Sequence, residues 1–184
     1  MRKLIAIMNM TLDGICDHTA GIADDETHQH YTDLLNNSGT IIHGRITYQL
    51  MENYWPEVVK NPTGNKATDD FATAMDKIDK VVFSNTLQSV EWKNTKIVKG
   101  PVGDIISALK QEQGRDILVG SPSLIVACAN LGLVDEYQIS IHPMIEGKGL
   151  RLFQNIKNRI DLTLLKTKTF ACGVVTFYYA TVRK

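Results

Sequence analysis

Three short β-branched runs break off at small or polar turns, and this punctuation constrains the fold more than any other feature of the chain. Thr40-Ile41-Ile42-His43 stops at Gly44-Arg45, Val81-Val82-Phe83 at Ser84-Asn85, and Ile117-Leu118-Val119 at Gly120-Ser121-Pro122. Runs this short and apolar read as buried strands of one sheet. Helical patterns follow Gly44 and Gly120, so two helix N-termini meet the carboxyl edge of that sheet. Free backbone N–H groups and the positive end of the helix dipole make such an edge favourable for phosphate, which points to a nucleotide site.

The rest of the chain continues the alternation. Lys3 to Met10 reads as a first strand, leaving through the turn Thr11-Leu12-Asp13-Gly14 into a polar loop that runs to Ala23. Asp24-Asp25-Glu26 open a first helix with an apolar stripe at Tyr31, Leu34 and Leu35, ending near Asn36-Asn37-Ser38-Gly39. Ile46 to Glu52 reads as a short helix that ends near Trp55-Pro56, because a residue before proline is pushed out of the helical region. Lys60 to Lys66 is the most loop-like stretch. Phe71, Ala74 and Met75 mark another helix, and Lys96 to Val98 a further strand. Ile105, Ile106 and Leu109 share a helical face, and Ser121 and Pro122 have the residue types of a helix cap and first helical position before Leu124 to Ala129. The final third changes character: Tyr137, Ile139 and Ile141 alternate with Gln138, Ser140 and His142, and the runs Leu162 to Phe170 and Val174 to Val182 flank the turn Ala171-Cys172-Gly173. The pattern is a single α/β domain over residues 1–184, a mostly parallel sheet with an antiparallel hairpin at its C-terminal edge.

Composition excludes several alternatives. Lys plus Arg number 20 and Asp plus Glu number 20, so no net field recruits nucleic acid or an anionic membrane. The apolar run Leu4 to Met8 meets Asn9, Thr11 and Asp13 too early for a signal peptide or a spanning helix, and a cytoplasmic protein is expected. Cys16, Cys128 and Cys172 are odd in number and lack CxxC spacing, which argues for free thiols rather than disulfides or zinc. The five histidines show no metal-ligand spacing.

Thr11-Leu12-Asp13-Gly14, Gly44-Arg45-Ile46-Thr47-Tyr48, Val82-Phe83-Ser84, Gly120-Ser121-Pro122-Ser123-Leu124, and Leu133-Val134-Asp135-Glu136-Tyr137 through His142-Pro143 to Gly147-Lys148-Gly149 follow one another in a single order and rhythm. In this the chain resembles the dihydrofolate reductase superfamily, and within it the stand-alone relatives of the reductase domain of riboflavin-biosynthesis deaminase/reductases. The resemblance implies a dihydrofolate reductase-like three-layer α/β/α fold, an NADPH site across the carboxyl edge of the sheet, and a homodimer paired through the C-terminal strands. Carried over by position, Gly44, Arg45, Ile46 and Thr47 would hold the pyrophosphate and adenosine phosphate, Ser84 and Asn85 would wall the adenine ribose, and Gly120, Ser121, Pro122, Ser123 and Leu124 would form the second phosphate turn. Ser121 stands where the family commonly has the second glycine of a pair. The implied activity is hydride transfer from NADPH to a small heterocycle: 5-amino-6-(5-phosphoribosylamino)uracil, or a dihydrofolate or pterin. A dimeric cofactor-binding domain without turnover is the remaining reading.

For the proton source, Glu26 on the first helix is the first candidate and Asp13 in the turn after the first strand the second. Where riboflavin reductases commonly carry Asp-Asp-Pro-x-Leu-Thr-x-Arg, this chain has Thr47-Tyr48-Gln49-Leu50-Met51-Glu52-Asn53-Tyr54-Trp55-Pro56. From that segment Tyr48 and Trp55, with Tyr54 nearby, are candidates for an aromatic wall against a flat substrate. By residue type alone, the histidine before Pro143 reads as structural.

Overall fold

A computed structural model describes residues 1–17, 21 and 24–182; part of the loop read from the sequence up to Ala23 lies outside them. The elements run β1 (Leu4–Thr11), α1 (Asp25–Asn36), β2 (Thr40–Gly44), α2 (Arg45–Glu52), α3 (Trp55–Lys60), α4 (Lys66–Lys77), β3 (Asp79–Phe83), β4 (Thr95–Val98), α5 (Val102–Gln111), β5 (Ile117–Val119), α6 (Pro122–Asn130), β6 (Glu136–His142), β7 (Leu162–Thr169) and β8 (Val175–Thr181). They build one eight-stranded sheet in the order β4-β3-β2-β5-β1-β6-β8-β7. The first six strands of that order pair in parallel, while β8 is antiparallel to both β6 and β7.

Alternation along the strands sends successive side chains to opposite faces. Ile42, Val81, Ile117 and Val119 join Ile106 and Leu109 of α5 and Ile125 and Cys128 of α6 on one face. Ile41, Val82 and Leu118 join Leu35 of α1, Tyr48 of α2 and Met75 of α4 on the other. Both faces of the central strands are therefore covered, and all three residues of β5 are fully buried. Each such aliphatic side chain contributes about 1.5–3 kcal/mol on leaving water. This is the three-layer α/β/α, mostly parallel architecture with a C-terminal antiparallel hairpin that the sequence implies.

The main departure lies after α2. Trp55-Pro56 does not end a helix; it begins α3, with proline in the first turn, where its missing N–H has no intrahelical acceptor to lose. The loop read over Lys60 to Lys66 is shorter, because Asn65 caps α4 by accepting from Thr68 N at 2.8 Å. Lys80, buried on β3, donates to the carbonyls of Ile78 (2.8 Å) and Asp76 (3.3 Å) at the end of α4. Among the described residues no helix is long and apolar enough to cross a membrane.

Candidate active site at the carboxyl edge

The strands end unevenly. β5 stops at Val119, level with Ala6 of β1 and Ile42 of β2, whereas β1 continues to Thr11 beside β6. A notch thus opens beside the last residues of β1. Ile117 N donates to Lys3 O at 2.8 Å, and Asp135 N to Leu4 O at 2.9 Å, so odd residues of β1 turn their main-chain groups toward β5 and even ones toward β6. Beyond the end of β5, the carbonyl of Ile7 and both main-chain groups of Asn9 face the notch with no partner among the described residues. Thr11 N escapes by bonding Ile15 O at 2.9 Å. The Ile7 side chain and the His43 ring approach Gly120, lying 3.7 and 3.8 Å from where a Cβ on that residue would stand. His43 is buried, its Nδ1 has no hydrogen-bond partner among the described residues, and burial holds its pKa down at about 4.

Two helices start at this edge, and neither N-terminus is capped by a side chain. Gly44 is the cap residue of α2 and Ser121 that of α6. The sequence suggests that Ser121 caps its own helix; instead its hydroxyl accepts from Gly44 N at 2.8 Å and joins the two turns. The N–H groups of Ile46 and Thr47 on α2, and of Ser123 and Leu124 on α6, sit in first turns where no helical carbonyl is available, while Pro122 has no N–H to satisfy. The two dipole ends reinforce each other as an anion site. Neither glycine is needed for its backbone conformation. Gly44 has φ −78°, Gly120 is absent from the positive-φ glycines, and a Cβ at either would meet atoms no closer than 3.7 Å. What their lack of a side chain preserves is open approach to the backbone.

Arg45 is exposed at the start of α2 and, among the described residues, donates only to Gln49 Oε1 on its own helix, at 3.0 Å. Phe83 pairs with Gly44, which puts Ser84 and Asn85 beside the same turn. The Ser84 hydroxyl also organises the local chain, accepting from Thr86 N and Leu87 N at 3.2 and 2.9 Å, while Asn85 is exposed.

Both candidate acids are engaged in joining segments. Asp13 accepts from Thr11 Oγ1 (2.6 Å), Gly147 N (2.8 Å) and Glu146 N (3.1 Å). These bonds, that from Thr11 foremost, hold its carboxyl down at about 2, so it is ionised at neutral pH and unsuited to donate a proton. Glu26 lies in the first turn of α1 as the sequence implies, but it is exposed and its Oε2 accepts from Ala171 N at 2.9 Å in the β7–β8 turn. Glu26, the first candidate for the proton source, is thus turned to the surface and committed to the β7–β8 turn.

Tyr48 requires a second correction. It is fully buried between α2 and the sheet, its ring 6.3 Å from that of Trp92 and its hydroxyl on Glu52, and so offers no surface to a substrate. Its place on the inward stripe of α2 explains the burial. Trp55 packs edge-on against Phe71, with centroids 4.6 Å apart, and against Tyr54 and His28; it is half-buried at the outer end of that cluster.

Groups not singled out by residue type lie on the α1 face of the edge. Tyr31 Oη donates to Asn9 Oδ1 at 2.7 Å and contacts Ser140 Oγ at 2.9 Å, Ser140 contacts Thr176 Oγ1 at 2.7 Å, and His142 Nε2 lies 3.2 Å from Asn9 Oδ1. Burial pushes Tyr31 up to about 12 and lowers His142. The available signal was a polar face in otherwise apolar strands: Ser140 and His142 recur at period two in β6, and Asn9 follows Ile5 and Ile7 on the same face of β1. A cavity of about 190 Å³ against Tyr137 and Arg159, and another of about 370 Å³ against Arg2 and Glu136, lie at the opposite end of the sheet, away from all of these groups.

Comparison with known proteins agrees with this fold. The chain is 35% identical over 182 residues to the uncharacterised protein YyaP of Bacillus subtilis (strain 168), covering 97% of this chain and 94% of that one. Its fold is similar to that of a protein ascribed to riboflavin biosynthesis in Shewanella sp. PV-4, with TM-score 0.74 at 18% identity over 98% of this chain and 99% of that one. It is also similar to dihydrofolate reductase from Enterococcus faecalis, solved with NADP(H), with TM-score 0.65 at 12% identity over 98% and 97% of the two chains. The RibD C-terminal domain family matches residues 2–176, nearly the whole chain, and a match of that length establishes that the chain belongs to the RibD C-terminal domain family.

Proposed function

We propose that this protein is an NADPH-dependent reductase acting on a small heterocycle, with the pyrimidine 5-amino-6-(5-phosphoribosylamino)uracil of riboflavin biosynthesis as the first substrate to test and a dihydrofolate or pterin as the alternative. The observation that carries this reading is the pair of helix N-termini joined by the Ser121 to Gly44 bond, set beside a notch with unpaired main-chain groups.

The residues present fit the cofactor. The first-turn N–H groups of Ile46, Thr47, Ser123 and Leu124 would hold the pyrophosphate, with Gly44 and Gly120 leaving the approach open. Arg45, tied among the described residues only to Gln49, would turn its guanidinium onto the additional phosphate, and Ser84 and Asn85 would flank the ribose. The Ile7 carbonyl and Asn9 N–H present the acceptor and donor that a carboxamide needs. Reduced nicotinamide bound there supplies a hydride. With Asp13 held ionised and Glu26 turned toward Ala171, water entering the notch supplies the proton in this scheme.

Calorimetric titration with NADPH and NADH tests the reading. A charge-assisted bond from Arg45 contributes about 1.5–3 kcal/mol, so NADPH should bind at least about tenfold tighter, and Arg45→Ala should remove most of the difference. Equal affinity for the two cofactors in the wild type defeats it. Loss of NADPH absorbance dependent on an oxidised pyrimidine or pterin then identifies the acceptor. We further propose a cytoplasmic homodimer, supported by the exposed Leu162, Leu164 and Leu165 on the edge strand β7, which are 40, 51 and 53% accessible.

A further inference from the structure

Asn9 projects from β1 on the face that α1 covers and is exposed at the carboxyl edge. The hydrogen bonds behind it run in one direction. Tyr31 gives its single proton to Asn9 Oδ1, so in its 2.9 Å contact with Ser140 the serine donates. Ser140 then has no proton left for Thr176, and in their 2.7 Å contact the threonine donates. This chain starts from Thr176 and Ser140, which are 0 and 1% accessible, and ends on the exposed amide. His142, 2% accessible, meets the same Oδ1 through Nε2 at 3.2 Å, and an oxygen acceptor requires that nitrogen to carry the proton.

Both lone-pair directions of Asn9 Oδ1 are therefore occupied, and its Nδ2 amide, which can only donate, makes no bond among the described residues. A pair of N–H groups held in one orientation from behind is a selective reader. It satisfies a ring carbonyl or an unprotonated ring nitrogen, and it leaves an amino or amidinium edge facing donors of its own kind. The two acids suggested by the sequence do not offset this, because Asp13 binds the 146–147 backbone and Glu26 binds Ala171.

We infer that Asn9 is the specificity-determining residue of the acceptor site, admitting heterocycles that present a hydrogen-bond acceptor and excluding those that present only donors, with Tyr31, Ser140, Thr176 and His142 as the residues that position its amide. This deepens the reductase reading and rests on it for the location of the acceptor. It makes an oxo-pyrimidine the preferred class over a ring recognised through an amidinium edge.

Uracil and 2-aminoimidazole are the probes, one rich in ring carbonyls and the other a ring cation at neutral pH that presents only N–H donors. Each is titrated into ¹⁵N-labelled protein with and without saturating NADPH, following the Asn9 side-chain NH₂ signals assigned by their loss in Asn9→Asp. NADPH affinity is measured separately by fluorescence, so failure of the cofactor reading shows as absent NADPH binding whatever the two probes do. Uracil should shift the Asn9 signals and bind at least about tenfold tighter than 2-aminoimidazole, and Asn9→Asp, which puts acceptors in place of the donors, should reverse that order. Tyr31→Phe keeps the ring but releases the amide; it should weaken uracil several-fold and leave NADPH affinity unchanged, with the melting temperature reporting any structural cost separately. Failure of uracil to move the Asn9 signals, equal binding of the two probes, or an unchanged preference in Asn9→Asp overturns the assignment.

Discussion

Ser121→Ala tests the bond on which the candidate site depends. The Ser121 hydroxyl is 1% accessible and accepts from Gly44 N at 2.8 Å, across 77 residues of sequence. Alanine removes the acceptor and leaves that N–H in a half-buried turn with no replacement. An unpaired donor of this kind costs about 1–3 kcal/mol, and for a domain of this size each kcal/mol lowers Tm by about 2–4 °C. A cost near the middle of that range, about 2 kcal/mol, lowers Tm by about 4–8 °C. Differential scanning calorimetry of Ser121→Ala beside Ser123→Ala, whose serine is exposed, isolates the bond. Ser123→Ala should lie within about 1 °C of wild type, as exposed substitutions usually do. If Ser121→Ala melts that close to wild type as well, the two turns are not held together by this hydroxyl.

Gly44→Ala should leave Tm unchanged or slightly raised, since φ is −78° and the new Cβ has room, yet weaken NADPH in calorimetric titration by occupying the approach to the backbone. Asp13, held at about 2 against an ordinary 3.8, stabilises the native state above about pH 4 and loses that contribution as pH falls through 2; Asp13→Asn should remove this part of the acid transition and speed hydrogen exchange at Glu146 and Gly147. His43 has a native pKa of about 4 against 6.5, so the unfolded chain takes up the proton first and stability falls as pH drops from 6.5 toward 4; urea titrations of His43→Gln should show a shallower fall, with His30, also held near 4, and His28 and His142, both lowered by burial, supplying the remainder. Light scattering should return twice the 20.5 kDa of one chain, and a mass of 20.5 kDa at micromolar concentration counts against the dimer.

Strands and helices were largely legible because both leave local periodic signals, and β5 stands out as three consecutive fully buried aliphatics between turns. The proline rule misread Trp55-Pro56 because the same restriction that ends one helix suits the first turn of the next. Turn positions at the carboxyl edge were also readable, since Gly44 ends a strand and Ser84 and Gly120 each follow one. Side-chain destinations were not. Ser121 carries the composition of a cap whether its hydroxyl turns back to its own helix or across to Gly44, and only the packing of β5 against β2 decides. Asp13 and Glu26 likewise took partners more than 130 residues away, at Gly147 and Ala171, which no local pattern encodes. Asn9, Tyr31 and Ser140 come from three separate segments, and their common hydrogen-bond chain exists only once β6 lies beside β1.

The strand order has a consequence for how the chain is made. β1 and β2 leave the ribosome first but are not neighbours; the slot between them is filled by residues 117–119, after β3, β4 and α5 have been synthesised. Until then both inner strands carry bare hydrogen-bonding edges, the condition under which nascent chains pair wrongly with one another. Three residues close that gap, and the same insertion brings Ser121 to Gly44. A chain halted before Ile117 can therefore contain the Gly44-Arg45 turn and α2, yet lack the wedge that completes the sheet and the second helix N-terminus. The pairing of the two helix N-termini at the carboxyl edge is thus a late product of synthesis, arriving with the central strand.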